Sequence, residues 1–418
     1  MFGRTPKTAP QFKEGYQLPS FLKDDALALN ASTAGNTVAL ESSEKSFKAD
    51  RGVFRKKCAV LVAICVLLTL VSICFSFSGA SSSSLKVYAP WDVLGNLVMW
   101  AAYHVSNALG LGLFPSETTL IQVAPLWPQV VPRCGMTLAT LVCGALLACA
   151  GMLYQVVFRN PIASPSLLGV THGVQVGFLL VYASYGLLAE STILVSERFV
   201  YGYAAGIATL LVVFALAKLI TKRGSAVSVF DILVVGTIIS ALFGAFREYL
   251  MDELSALNLW ASFFEYQEGL NLYDDPLTYA VLAGSVVVAF VPIFLLRFRL
   301  NLLSFTDGEV RIMGSNPQAL RFLSLAAGSI MILTAQVFVG SASCFALVIP
   351  FLARFLFGSE FRKQLWGNVL LGMIILLVCR DLTVLIPFPG TGVPIGAIAG
   401  AVTLPVFVWA SALSHKGW

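Results

Sequence analysis

The chain consists of long apolar stretches separated by short polar ones. Five stretches contain no Asp, Glu, Lys or Arg, namely Cys58 to Phe77, Gly135 to Phe158, Leu168 to Leu188, Phe199 to Ala217 and Leu277 to Leu296. Each is close to the roughly 20 residues that a helix needs to cross about 30 Å of hydrocarbon. The pattern therefore predicts a series of transmembrane helices.

Two later apolar stretches, Phe322 to Ala353 and Leu382 to His415, are each too long for a single crossing. Gly340-Ser341 interrupts the first and Pro387 to Gly390 the second, so each predicts a helix, a turn and a second helix. Further helices are indicated around Asp231 to Leu250 and Trp366 to Cys379. The predicted fold is an all-α polytopic membrane protein with about ten transmembrane helices.

Composition and charge give this bundle a direction. Of the residues, 57% are hydrophobic and 12% are charged, against about a quarter charged in soluble domains. In the predicted topology all but five of the 27 Lys and Arg residues fall on one side, the exceptions being Lys86, Arg133, Arg198, Arg247 and Arg380. The positive-inside rule assigns the richer side to the cytoplasm, and an even number of crossings places both termini there. The net charge of +5 thus reflects topology, and no nucleic-acid partner is expected.

The segments outside the apolar stretches suggest how the chain is organised. Residues 1–50 are polar and mixed in charge, which predicts a disordered cytoplasmic tail, and residues 51–418 form the transmembrane domain. The first apolar run is too long for a signal-peptide core, so we expect it to remain as an anchor in membrane lipid. The outer segment 78–132 has apolar residues at helical spacing from Trp91 to Leu111, which predicts an interfacial helix. The acidic outer segment Glu248 to Pro276 either lines the mouth of a pathway or holds a loop in water.

The sequence lacks the patterns that carry catalysis or metal binding. The eight cysteines lie in or beside apolar stretches without a C-x-x-C pair, and the histidines His104, His172 and His415 are scattered. None of the motifs H-E-x-x-H, G-x-S-x-G and G-x-x-x-x-G-K-[ST] occurs. The sequence therefore predicts no catalytic residue, no metal site and no cofactor on this chain. His172, alone on an apolar helix, is predicted to hydrogen-bond between helices.

Four motifs follow one another along the chain. The first comprises Pro132-Arg133, Gly144-Ala145-Leu146, Ala150-Gly151, Gln155 and the turn Arg159-Asn160-Pro161 with Pro165 and Gly169. The second comprises Leu300 to Ser304 with Asp307, Glu309, Arg311, Gly314 and Arg321. The third runs from Gly340 through Pro350 and Arg354 to Gly358, and the fourth comprises Asp381, Val393-Pro394-Ile395-Gly396, Gly400 and Pro405. The prolines of the turn stop one helix and lead into the next.

Together these motifs closely resemble the permeases of iron-siderophore, haem and cobalamin importers, the FecCD-type family, with its RLPR, GAxLAxxGxxxQ and RNPLAxPxLLG patterns. The resemblance extends from about Pro132 to Trp409. It implies a type II ABC importer permease in the bacterial inner membrane, which moves a metal chelate by alternating access. It also implies three kinds of partner: a second permease subunit, identical or paralogous, two ATP-binding subunits that hold ATP and Mg²⁺, and an extracytoplasmic substrate-binding protein.

The resemblance also implies roles for individual residues. In the cytoplasmic coupling loop, residues 300–321, the residues expected to act on the ATPase are Asp307, Glu309, Arg311, Gly314 and Arg321. The cytoplasmic turn motif comprises Arg159, Asn160, Pro161, Pro165 and Gly169. Arg133 is expected to dock the binding protein. The residues expected either to line the pathway or to pack helices are Gln155, Pro350, Arg354, Asp381, Pro394 and Gly396.

The chain departs from the family pattern mainly on the outer side. Val130 and Leu385 stand where the family has docking arginines, and Gly392 replaces a glutamate, so Arg133 alone survives. A charge inside hydrocarbon is costly, and Arg380 and Asp381 are therefore expected to find partners or water. The alternative function is an ion-coupled secondary transporter, which would usually carry ionisable residues near the midplane. Here the acids lie mostly at helix ends or in loops.

Overall fold

The computed structural model describes residues 52–77, 85–108, 125–161, 163–188, 195–221, 229–256, 276–340, 343–385, 393 and 395–414. The predicted tail, most of the acidic outer segment and Pro394 lie outside the described residues. The chain divides into two compact units, Met1–Lys57 and Cys58–Trp418. Of the first unit, only residues 52–57 are described, and they are helical.

The described chain is almost entirely helical. Its long helices are α1 (Gly52–Cys74), α2 (Pro90–Ala108), α3 (Trp127–Phe158), α4 (Val170–Leu188), α5 (Val195–Ile220) and α6 (Val229–Ala256). The next part contains α7 (Pro276–Ser285), a π-helical turn (Val286–Phe290), α8 (Val291–Leu295), α9 (Arg297–Leu300), a 3-10 turn (Asn301–Ser304) and α10 (Asp307–Ile312). The last helices are α11 (Pro317–Val339), α12 (Ser343–Phe357), α13 (Phe361–Leu385) and α14 (Ile395–Ser414). A second 3-10 turn, Pro165–Leu168, precedes α4.

The membrane-spanning character predicted from the apolar stretches is confirmed. Among the described residues, six helices are long and apolar enough to cross a membrane, and a bent helix pair, Tyr279–Leu295 with Arg297–Ser304, would make a seventh span. Three shorter apolar helices, Val170–Val181, Cys344–Phe357 and Ile395–Trp409, accompany them. The helical fold class therefore holds, and the count of about ten crossings stays a prediction.

The predicted break at Gly340 is confirmed, since α11 ends there with Gly340 at φ 78°. The first apolar stretch ends differently from the prediction. Its last residues, Phe75–Phe77, leave α1 and pair antiparallel with Leu85–Val87 in a two-stranded sheet. Aromatic residues such as Phe75 and Phe77 favour strands. The helix predicted from Trp91 onward is present as α2, with Trp91 exposed and Val93 packed against Cys74 and Val130, and its position at the membrane interface stays a prediction.

Helix α3 is the centre of the bundle. It packs against α11, α12 and α13, and 78% of its most apolar stretch is buried inside the protein. Small residues allow this close packing, because a methyl group added at Gly144 would collide with the carbonyl oxygen of Gly372. Helix α1 is the opposite case. Only 11% of its most apolar stretch is buried, as expected for a helix that faces lipid.

Candidate functional site

Helix α3 is capped at its C-terminus by Arg159, the first residue of the predicted turn motif. Arg159 has a left-handed backbone (φ 50°, ψ 34°) and is the one non-glycine residue with positive φ in the described chain. Its side chain reaches across to the segment after α9. The Nε atom donates a hydrogen bond to the carbonyl oxygen of Leu303 at 3.3 Å, and Nη2 donates to that of Phe305. The unusual backbone thus aims the guanidinium at the predicted coupling loop.

Asp307 is the point where the two motifs meet. Arg321 donates to both of its carboxylate oxygens, with Nη1 to Oδ2 at 2.9 Å, and Nη2 of Arg159 lies 3.5 Å from Oδ1. The hydrogen bond from Arg321 is the main cause that holds the pKa of the Asp307 carboxyl below its ordinary value. Two planar guanidinium groups therefore hold one carboxylate and join the end of α3, the start of α10 and the first turns of α11.

The rest of the loop is held by caps at its helix termini. Glu309 forms a capping box at the start of α10, accepting from the backbone N–H of Thr306 at 2.8 Å and from its hydroxyl at 2.9 Å. The backbone hydrogen bond lowers the pKa of the Glu309 carboxyl. Gly314 takes a positive φ of 74° after α10, and Asn316 caps α11 through Gln318 and Ala319. Arg311 is exposed and lies outside the Asp307 cluster of hydrogen bonds.

The remainder of the turn motif packs into the protein. Asn160 donates its backbone N–H to Gln155 at 3.1 Å, Pro161 is exposed, and Pro165 is buried at the start of its 3-10 turn. Gly169 has φ 71°, and a side chain there would lie 3.2 Å from the backbone nitrogen of Ser240. The Ser240 hydroxyl donates to the carbonyl oxygen of Ser166 at 2.7 Å. The turn is therefore fixed against α6 as well as α3.

The third motif connects α12 to α3. Gln155 donates from Nε2 to the carbonyl oxygen of Leu347 at 2.9 Å, and its Oε1 is buried without a partner among the described residues. Pro350 has no N–H to give to the carbonyl of Ala346, and that carbonyl lies directly against Gly151 of α3. The proline and the glycine thus complement each other across the interface. Arg354 lies one turn further along, in the last turn of α12.

The charged pair near the end of α13 finds partners, as expected. Ser72 of α1 donates to Oδ1 of Asp381 at 2.8 Å, and Nη1 of Arg380 lies 3.5 Å from the same oxygen. Arg380 also donates to the hydroxyls of Ser72 and Thr137, at 3.2 Å and 3.3 Å. Arg133 lies within electrostatic range of Arg380 and Asp381. These residues form one polar cluster that joins α1, α3 and α13.

Two other predicted residues are less informative. Gly396 lies in the first turn of α14, two residues after Pro394, which lies outside the described residues. The buried Nδ1 of His172 has no hydrogen-bond partner among the described residues, so no hydrogen bond between helices is seen through this atom.

Sequence reasoning missed Thr306, Ser72 and Thr137. The capping-box spacing of Thr306 and Glu309 was available as a signal, whereas a single hydroxyl within an apolar run offers none.

Comparison with known proteins identifies the family. Residues 126–412 match the model of the FecCD transport family. A probable iron chelatin transport system permease protein of Helicobacter pylori is 30% identical over 350 residues, covering 82% of this chain and 94% of the relative. The Fe(3+) dicitrate transport system permease protein FecD of Escherichia coli is 29% identical, and the match covers 65% of this chain and 81% of the relative. The fold is similar to a solved structure described as a metal-chelate type ABC transporter in an inward-facing conformation, with TM-score 0.62, 20% identity, and coverage of 86% and 99%. This chain is a membrane transport permease that belongs to the FecCD transport family.

Proposed function

We propose that this chain is the permease of an ATP-driven importer that carries an iron chelate, and that the Asp307 cluster is its coupling site. The observation that carries the proposal is the shared carboxylate of Asp307, held by Arg321 and by Arg159. A permease without a phosphate-binding loop needs a separate chain to hydrolyse ATP. A rigid, charged loop at one end of the bundle is a suitable surface for that chain.

The geometry suggests how movement of the loop reaches the transport pathway. Arg159 ends α3, which packs against three further helices at the centre of the bundle. A force on α10 would act through Asp307 and Arg159 on α3 rather than on a peripheral helix. ATP binding to the partner could then shift the permease between inward-open and outward-open states, provided that the ATPase binds the two states with different affinity.

The partners of this permease follow from its family and are part of the proposal. A second permease subunit, identical or paralogous, would enclose the pathway, and two ATP-binding subunits would hold ATP and Mg²⁺. A substrate-binding protein would deliver the chelate at the outer face, where Arg133 is the candidate docking residue. The loop of residues 300–321 and both termini would lie in the cytoplasm, with the bundle in the bacterial inner membrane. This chain itself would bind no cofactor.

The relatives favour iron chelates as the substrate class. The proteins from Helicobacter pylori and Escherichia coli are named for iron chelatin and Fe(3+) dicitrate transport. The match to this chain covers most of the length of each. Ferric citrate and a ferric hydroxamate siderophore are therefore the first substrates to test. The two differ in charge and size and separate a small anionic chelate from a bulkier one.

The test is uptake by vesicles that contain the complete transporter, assembled from this permease, its ATPase and its binding protein. Wild type, Asp307→Asn and Arg299→Gln would be compared for ⁵⁵Fe uptake and for co-purification of the ATPase. We expect ATP-dependent uptake by wild type, a large loss of both properties in Asp307→Asn, and no change in Arg299→Gln, which removes an exposed cation nearby. Uptake driven by a proton gradient without ATP, together with full ATPase binding by Asp307→Asn, would overturn the proposal.

A further inference from the structure

A cavity opens between α5, α6 and α11 on the face of the protein that also carries Arg159. Its volume is about 280 Å³. The residues that line it are Phe214 and Lys218 of α5, Ile232 of α6, and Gln318, Arg321, Phe322 and Leu325 of α11. Lys218 lies in the last turn of α5, and Gln318 and Arg321 lie in the first turns of α11. The polar residues therefore gather at one end of the cavity.

The rest of the cavity wall is apolar. Phe214 lies one turn further into α5 than Lys218, and Phe322 lies one turn further into α11 than Gln318, directly after Arg321. The two aromatic rings contact each other with centroids 5.1 Å apart. Leu325 and Ile232 are buried beneath them, whereas 57% of Phe322 is exposed. An aromatic wall that is open on its outer side, below a polar rim, matches a molecule with a charged head and a hydrocarbon chain.

The charge at the rim is only partly compensated. Lys218 is exposed, and none of the ion pairs in the part of the chain that the structure describes includes it. Arg321 donates to Asp307 through Nη1 and Nη2, but a guanidinium has five N–H donors. The single carboxylate of Asp307 is also shared with Arg159. The rim thus keeps cationic donors available for an anion.

We propose that this cavity binds an anionic phospholipid. Its phosphate would lie between Lys218, Gln318 and Arg321, and an acyl chain would lie along Phe214 and Phe322. The apolar wall favours a lipid over free phosphate, because a free phosphate would contact the rim and leave the wall unused. Arg321 would then contact the lipid as well as Asp307, so that bound lipid would restrain the side chain that holds the loop.

The binding test uses the purified full-length chain in detergent and native mass spectrometry. Phosphatidylglycerol would be titrated in parallel with phosphatidylcholine, which has the same acyl chains and no net charge, and with inorganic phosphate. We expect phosphatidylglycerol to bind at least fivefold more tightly than phosphatidylcholine, because the choline cation cancels the phosphate charge in phosphatidylcholine and a basic residue near an anionic lipid headgroup contributes about 1 kcal/mol. Inorganic phosphate in millimolar excess should fail to displace it.

Two variants and one control locate the site. Lys218→Gln should weaken phosphatidylglycerol binding about fivefold, whereas Arg299→Gln, which removes an exposed cation outside the cavity, should leave it unchanged. Phe322→Ala should weaken the binding of both lipids. Equal affinities in Lys218→Gln and Arg299→Gln, equal binding of the two lipids, or displacement by inorganic phosphate would each overturn the proposal. Because no ATPase is present in this assay, its outcome is independent of the coupling role proposed for Asp307.

Discussion

The carboxylate of Asp307 and the guanidinium of Arg321 face each other with both terminal nitrogens of the arginine donating to both oxygens of the acid. Paired hydrogen bonds of this kind fix orientation as well as distance, which a single contact to a lysine would not do. The pair therefore sets the angle between the short helix α10 and the long helix α11. In the proposed coupling role, this fixed angle would let the loop transmit force to the bundle.

The effect of pH on this pair follows from the direction in which the pKa of Asp307 is shifted. The pKa of Asp307 is lowered from 3.8 in the folded protein, so its contribution to stability is present above the unfolded value and is lost as pH falls through the lower folded value. Thermal unfolding in detergent should therefore show the same destabilisation of Asp307→Asn, relative to wild type, at pH 7 and at pH 5. A difference that disappears by pH 5 would mean that the folded pKa is raised instead.

The hydrogen bond from Gln155 to Leu347 should stabilise the contact between α3 and α12. Gln155→Leu removes the donor and is expected to lower the free energy of unfolding by about 1 kcal/mol, which is typical of hydrogen bonds between membrane helices. The measurement is thermal unfolding of the purified protein. Leu138→Ala is the matched control, since Leu138 lies on the same helix with 53% of its surface exposed. An equal loss in the two variants would show that the hydrogen bond contributes nothing specific.

The contact between α3 and α13 depends on glycine at two facing positions. A methyl group at Gly372 would collide with the carbonyl oxygen of Gly144, so Gly372→Ala should force the helices apart and cost roughly 1 to 3 kcal/mol. Gly284→Ala should be tolerated, because no atom lies within 4 Å of the added methyl group there. Comparing the yield of folded protein by size-exclusion chromatography distinguishes the two. Normal yield of Gly372→Ala would contradict the packing argument.

The cluster around Asp381 should be sensitive to loss of the acid. Asp381→Leu leaves Arg380 without its carboxylate in a buried site, and we expect a loss of roughly 3 kcal/mol in unfolding free energy. Ser72→Ala removes one hydrogen bond to the same acid and should cost about 1 kcal/mol. Asp92→Asn, at an exposed acid of α2, serves as the control in chemical denaturation. We predict that the loss of unfolding free energy is largest for Asp381→Leu, smaller for Ser72→Ala and smallest for Asp92→Asn. Any other order contradicts the prediction.

Arg133 tests what remains of docking at the outer face. Arg133→Glu reverses the charge at the proposed docking position and should weaken binding of the substrate-binding protein by about thirtyfold, the equivalent of roughly 2 kcal/mol for a charged contact in an interface. Surface plasmon resonance at two salt concentrations measures the effect. Because Arg133 also lies near Arg380 and Asp381, the melting temperature must be checked in parallel. An unchanged affinity in a folded variant would show that docking uses other residues.

Much of the fold could be predicted because apolar length is a strong signal. The interruption at Gly340 and the helix beginning near Trp91 were both visible in the sequence, one from a helix-breaking glycine and the other from helical spacing. The end of α1 at Cys74 was not visible, since Phe75–Phe77 is as apolar as the helix before it. An apolar run shows where a chain can enter a membrane, but not where its backbone changes conformation.

The candidate site was predictable in its parts and not in its contacts. The motifs containing Arg159 and Asp307 were both recognised, yet nothing in their spacing along the chain shows that the two side chains meet. The polar cluster on the other side was harder still, because Ser72 and Thr137 resemble ordinary small residues in apolar helices. Tertiary contacts between distant segments depend on how helices pack, which periodicity within one helix does not specify.

The central position of α3 also has a consequence for biogenesis. The amide of Gln155 is synthesised 192 residues before its acceptor at Leu347, and the three helices that pack most extensively against α3, namely α11, α12 and α13, are all made after it. When α3 first enters the bilayer, its glycines and its glutamine therefore face lipid, water or insertion machinery rather than α11, α12 and α13. The ribosome must deliver most of the chain before this helix reaches its final neighbours, so completion of the bundle is a late event in synthesis.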